Sequence, residues 1–396
     1  MQHRIRERRY DLDWLRVMAF GLLILFHTGM MFVSWGWHVK NPETSVALEW
    51  VMRFLHEWRM PLLFFISGAA VWFAMEKYPT LSYLRERAVR LLVPLVFGML
   101  VVVPPQVYFE RRFQQWDYAS FWEFYPTIFT SGSYPQGNMS WHHLWYLPYI
   151  FAYSMLLLPL FLWLRTTRGR KALTFIRARL CRPGALLLLC IPSAVSDVCL
   201  RPAWPADTNN LVADWGNFTS KAIIFLTGFV LCSGEEIWDR IERDRFRALG
   251  LGLLATIVLY LSWYADLEIQ GLSRAAYRVL RNLNLWCWLL GVLGLGRRYL
   301  RFNHPFLKYA TEAVYPWYIL HQTVIVAIGY YVAGWDMALW WKYTVVLIAM
   351  AIVTGLLHEF VIRRTSLLRP FFGLKIKPRA GTSRVLVAEC APAAGS

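Results

Sequence analysis

The feature that most constrains this chain is a succession of long stretches with almost no charge, among them 15–33, 60–75, 91–109, 144–164 and 339–362. A helix rises 1.5 Å per residue, so roughly 20 apolar residues cross a hydrocarbon core of about 30 Å. The apolar residues fall in runs of that length and do not alternate. Composition agrees: 57% of residues are hydrophobic and 17% charged, where soluble chains carry about a quarter charged residues. A soluble chain of 396 residues would usually divide into two or three domains. This one reads as a single all-α, polytopic membrane domain.

About ten transmembrane helices are expected, near 12–34, 50–75, 88–109, 144–165, 184–200, 217–234, 248–266, 279–296, 309–332 and 338–362. With the N-terminus inside, Arg4, Arg6, Arg8 and Arg9 lie in the cytoplasm. So do Lys77, Arg85 and Arg87, the basic cluster at 165–182, the cluster at 240–247, and Arg297, Arg298 and Arg301. Outer loops hold only a few cations, among them Lys40, Arg111, Arg112, Arg201 and Arg274. That asymmetry is the positive-inside rule, and it puts both termini in the cytoplasm. The net charge of +17 is therefore topological: the partner it implies is the lipid bilayer, and nucleic acid is excluded. The domain plan is a basic cytoplasmic segment at 1–11, a transmembrane domain at 12–375, and a disordered cytoplasmic tail at 376–396.

Other features are quieter. The first span is too long for the apolar core of a signal peptide and lacks a small-residue cleavage site, so it reads as an uncleaved anchor. The six cysteines show no metal-ligand spacing and no disulfide framework, and no bound metal or cofactor is expected. Many of the tryptophans stand near span ends, as interfacial belts require. No internal repeat is evident. The longest outer segment, 110–142, is rich in aromatic residues, which suit either an ordered loop over an outward cavity, stacking on sugar rings, or packing on lipid headgroups.

Ionisable residues inside spans cost several kcal/mol unless paired or solvated, so each is a functional candidate. Arg16 and His27 stand out. Eleven residues at about 100° each return to within about 20° of the start, so the two share one helix face, roughly 16 Å apart along the axis. One stripe thus offers a cation near the cytoplasmic edge and an imidazole beyond the bilayer midpoint. This suits a donor with an anionic head inside and a long arm reaching across, the shape of acyl-coenzyme A. An apolar wall favours the neutral imidazole, which can act as a base. Taken singly, Arg16 reads as a snorkelling charge and His27 as an interhelical hydrogen-bonding residue. Arg59, before Met60-Pro61, and His143, which opens the fourth span, are further candidates for the same cavity. His38, Arg281 (with Asn282 and Asn284) and His321 are secondary ones, each as readily a satisfied interhelical contact. Arg85, Arg87 and Arg90 at the cytoplasmic mouth of the third span are positive-inside charges that can also hold phosphates. No GxGxxG, Walker, GxSxG or HExxH motif is present.

Taken together, these residues resemble membrane acyltransferase family 3, and within it the glucan-biosynthesis protein C, or periplasmic glucan succinyltransferase, group. The resemblance rests on Arg16 and His27 with ten residues between them, with Asp13-Trp14-Leu15 before and Thr28-Gly29-Met30 after. It also rests on Arg59-Met60-Pro61-Leu62, Arg90-Leu91-Leu92-Val93-Pro94, His143-Leu144-Trp145-Tyr146 and Tyr315-Pro316-Trp317. It runs from about residue 10 to 375. It implies a multi-pass protein of a bacterial inner membrane that moves an acetyl or succinyl group from cytoplasmic acyl-coenzyme A to a hydroxyl of an envelope carbohydrate, with glycan-biosynthesis proteins as possible partners. Carried over, His27 would be catalytic and Arg16 a contact to the coenzyme A head. From the residues themselves, Arg59 or His143 would stabilise the oxyanion or bind a dicarboxylic acyl group, and Arg85 and Arg90 would join Arg16 in holding the donor's phosphates. The reading from another class is a polytopic exporter of an envelope glycan or anionic precursor. Such transporters commonly carry inverted repeats and matched broken helices, for which there is no correspondence here.

Overall fold

A computed structural model describes residues 8–265 and 271–376. Within them the regular structure is all helix, with no strand and one isolated bridge between Ser133 and Met139. The tail expected at 376–396 lies outside the described residues apart from Ile376, as do the first seven residues of the N-terminal segment.

Among the described residues, and leaving out single helical turns, twelve helices form: α1 Tyr10–Gly29, α2 Val46–Lys77, α3 Thr80–Phe113, α4 His142–Leu156, α5 Leu158–Leu164, α6 Thr167–Leu180, α7 Ala185–Leu200, α8 Trp215–Leu231, α9 Glu235–Tyr264, α10 Gly271–Tyr299, α11 Pro305–Val332 and α12 Leu339–Ile362. Each of the ten expected stretches is helical over most of its described length. Six helices are long and apolar enough to cross a membrane (α1 continued to Phe32, α2, α3, α9, α10 from Ser273, and α12), and α4 with α5, bent by 51°, makes a seventh if counted as one span. The rest fall short for separate reasons. α7 is a shorter apolar helix and α8 has 17 residues. α11 has 28 but carries Lys308, Glu312, His321 and Gln322. It packs against α1, α3 and α12, and a helix facing protein can hold polar groups that lipid would penalise.

Three details set the frame of the site. α2 and α8 cross closely because Gly68 and Gly228 leave room: a Cβ on Gly68 would run into the carbonyl oxygen of Phe225, and one on Gly228 into that of Phe65. Small residues at such crossings let backbones meet without a gap. α3 contains a π-helical stretch, Gly98–Val102, which disturbs the regular i→i−4 ladder. The Thr323 hydroxyl donates to the Val102 carbonyl at 2.8 Å and the Tyr125 hydroxyl to that of Leu100 at 3.0 Å. After α1, the Lys40 ammonium donates to the carbonyls of Met30 and Trp35, each at 3.0 Å, and to that of Val33. It thereby satisfies acceptors that a helix end leaves open and fixes the loop beyond.

The aromatic segment between α3 and α4 is ordered. Arg111 donates to Asn138 Oδ1 at 2.9 Å and to the carbonyls of Pro135 and Gly137 at 2.7 and 2.8 Å, Phe124 is fully buried, and single helical turns form at Phe121–Phe124 and Thr127–Thr130.

Candidate active site

α1 presents His27 to α11, where His321 follows Tyr318 by one turn. His27 Nδ1 lies 2.7 Å from His321 Nε2, and the rings are parallel to within 5°. His321 Nδ1 in turn lies 2.7 Å from the carbonyl oxygen of Tyr318. A carbonyl oxygen only accepts, so His321 Nδ1 carries a hydrogen. In a neutral ring the other nitrogen, Nε2, then has a lone pair and receives the hydrogen of His27 Nδ1. It follows that neutral His27 keeps a free lone pair on Nε2. The backbone of α11 thus sets the tautomer of a histidine on α1.

His143, from the 3-10 turn that begins α4, donates from Nε2 to the Ile319 carbonyl at 2.9 Å. Its Nδ1 is buried and has no hydrogen-bond partner among the described residues. The Tyr318 hydroxyl donates to the His143 carbonyl at 2.6 Å, locking α4 to α11. Arg59 on α2 is 3% exposed, and its guanidinium lies 3.7 Å from the centre of the Phe26 ring. Its Nε and Nη1 are also without hydrogen-bond partners among the described residues. A buried cation with unmet donors costs several kcal/mol, so these two nitrogens are free to meet an anion.

These groups converge. A cavity of about 220 Å³ is lined by His27, Arg59, His143 and Tyr318, together with Trp35, His56, Trp145, Asp207, Asn209, Asn217 and Lys221. Arg201 Nη1 lies 2.6 Å from Asp207 Oδ1. Burial pushes the Asp207 carboxyl up, but Lys221 and Arg201 more than offset this and hold it below its usual value. A second, apolar cavity of about 240 Å³ runs between α1 and α11, past Val17, Phe20, Gly21, Ile24, Ala313 and Trp317 to His321.

The remaining expected residues lie elsewhere. Arg16 is half-buried and sits 3.6 Å from Asp13, at the opposite end of α1 from His27. There the charges of Arg87 and Arg90 act on it, while Arg85 is exposed on the same helix as those two. Arg281 is bound to Glu57 through Nε at 3.2 Å and Nη2 at 2.9 Å, a tie between α10 and α2. Asn282 donates to Asp197 at 2.7 Å, and Asn284 accepts from Thr256 at 2.9 Å. His38 is one step removed from the cavity: the Trp37 ring lies 5.4 Å from that of His27 and 4.7 Å from that of His38.

The residues missing from the sequence reading are His56, Asp207, Lys221 and Tyr318. Two carried a signal, since Lys221 is ionisable within an apolar stretch and His56 shares a helix face with Arg59, three residues on. Asp207 comes from the loop before α8, which nothing in the sequence ties to α1.

Compared with known families, residues 9–359 match the acyltransferase domain. Among curated proteins the chain is similar to glucans biosynthesis protein C of Escherichia coli K12, with 22% identity over 90% of this chain and 92% of that one. The protein of the same name from Escherichia coli O81 is 21% identical, with the same coverage. No solved structure matches.

Proposed function

The chain belongs to the acyltransferase-domain family and is a membrane acyltransferase, and from that premise we propose that it moves an acyl group from cytoplasmic acyl-coenzyme A to a hydroxyl of an envelope carbohydrate. The observation that carries the mechanism is the His27–His321–Tyr318 chain, which leaves His27 Nε2 with a lone pair beside a cavity that also holds Arg59 with its two unpartnered nitrogens. In this reading His27 takes the proton of the acceptor hydroxyl as its oxygen attacks the thioester carbonyl. The new C–O bond raises negative charge on the carbonyl oxygen, which Arg59 meets. The C–S bond then breaks, and the coenzyme A thiolate leaves with the proton held by His27.

The donor's head would rest on Arg16, Arg87 and Arg90, where Arg suits phosphate. The apolar cavity that begins beside Arg16, at Val17, and ends at His321 suits the arm and acyl group. In the cavity that holds His27, Trp35 and Trp145 with Asp207, Asn209 and Asn217 offer stacking faces and hydrogen-bonding groups for a sugar. The name of the Escherichia coli relatives supports a glucan as acceptor. We also read ten crossings with both termini cytoplasmic, in the inner membrane of a bacterium. That topology is supported by ten helical stretches and by basic clusters at alternate span ends.

Mass spectrometry of envelope glycans from cells with and without the gene tests this function. Loss of a fixed acyl mass per modified sugar is expected, and identical glycan spectra would refute it.

A further inference from the structure

Outside the cavity, three residues far apart in sequence meet: His38 in the loop after α1, Glu110 near the end of α3, and His142 at the start of α4. We propose that they form a binding site for one divalent transition-metal ion, zinc being the ion best matched to two imidazoles and a carboxylate.

The geometry is that of a ligand set. His38 Nδ1 lies 2.9 Å from Glu110 Oε2, His142 Nε2 lies 3.7 Å from the same oxygen, and one donor atom from each residue falls within 4.8 Å of the others. Donors about 2.0–2.1 Å from a tetrahedral ion stand roughly 3.3 Å apart, so the two measured separations bracket the required one. His142 has only 4% of its side chain exposed, and its Nε2 has no hydrogen-bond partner among the described residues. That nitrogen is aimed at a carboxylate too distant for a hydrogen bond. The backbone of His142 is in the left-handed region, with φ 39°, a strained conformation for a residue with a side chain.

The outer contacts fit as well. Ligating histidines and carboxylates are ordinarily oriented by a second hydrogen bond. Here Tyr134 donates its hydroxyl to Glu110 Oε1 at 2.9 Å, and His142 Nδ1 lies 2.9 Å from Ser140 Oγ. On His38, the amides of Gln106 and Gln322 both approach Nε2, at 3.0 and 3.1 Å. One lone pair cannot receive both amide groups fully. With the ion on Nδ1, Nε2 carries the hydrogen and donates to an amide oxygen once one of the two glutamine amides, both now facing it through nitrogen, turns over, and the proton between His38 and Glu110 is released.

The ion would clamp three segments of one rim. His38 follows Trp37, which packs on His27, and His142 precedes His143 in the cavity wall. With three protein ligands the fourth position of the ion would fall to water, and the ion would hold that rim over the cavity. The site does not depend on the acyl-transfer reading, because its readout is metal content.

The full-length protein, purified in detergent, loaded with zinc and desalted, should hold about one zinc per chain by elemental mass spectrometry. Glu110→Gln and His142→Ala, checked for folding by melting and size-exclusion profile, should lose the ion. Tyr134→Phe, which keeps all three ligands, should weaken zinc affinity about tenfold or more. Cobalt loading should give a visible absorption band in the wild type that Glu110→Gln lacks. A metal-free wild type after loading, or equal zinc in folded Glu110→Gln, would overturn the site and leave a hydrogen-bonded cluster only.

Discussion

His321 does not line the cavity that holds His27, Arg59 and His143, yet replacing it should slow turnover. His321→Ala removes the acceptor that holds the hydrogen on His27 Nδ1, at 2.7 Å in a position fully shielded from solvent. A buried donor left unpaired costs about 1–3 kcal/mol, which is the penalty on the tautomer with a free Nε2. At 1.36 kcal/mol per factor of ten, kcat should fall roughly 5- to 150-fold. The Michaelis constant for acyl-coenzyme A should change less than kcat: His321 ends the apolar cavity proposed for the arm, but the donor head is expected at Arg16, some 16 Å along α1 from His27. His321→Gln can still present an amide oxygen to His27 and should recover part of the loss. The assay is transfer of radiolabelled acyl from coenzyme A to glycan by purified protein, with both constants measured. A kcat for His321→Ala within about twofold of wild type would refute the tautomer argument. So would His321→Gln as slow as His321→Ala.

Three further outcomes follow from the geometry. Arg59→Met should lower kcat by about 10²–10³, the usual cost of losing an oxyanion donor, with folding retained; an unchanged kcat would remove Arg59 from the chemistry. Arg87→Ala should raise the Michaelis constant for acyl-coenzyme A well above that of Arg85→Ala, since Arg87 acts on Arg16 whereas Arg85 is exposed; equal effects would mean general surface charge. Gly228→Ala should destabilise the α2–α8 crossing by about 1–3 kcal/mol, read as a lower melting temperature in detergent, and an unaltered melting temperature would show that the helices yield there.

The helices were legible because hydropathy and length govern insertion into lipid, and ten stretches read from the sequence are all helical over most of their described length. Which of them cross was less legible. α11 shows why: its apolar run was read as a span, yet it carries Lys308 and Glu312, packs against α1, α3 and α12, and is not among the helices apolar enough to cross. Arg16 and His27 were readable as a stripe because helical periodicity acts within one element. The bond from His27 to His321 was not, since it depends on how α1 and α11 are rotated against each other across 294 residues of sequence. The same limit hid Asp207 behind His56, and Glu110 between His38 and His142. Arg281 looked like a site residue by the rule that buried charge is functional, but Glu57 on α2 satisfies it.

The central claim is that His27 is the base of a transferase. Purified protein, given radiolabelled acyl-coenzyme A and an envelope glycan in detergent with no ion gradient, should label the glycan, and His27→Ala should abolish labelling while melting and size-exclusion profiles stay those of the wild type. Glycan labelled at the wild-type rate by folded His27→Ala would contradict it.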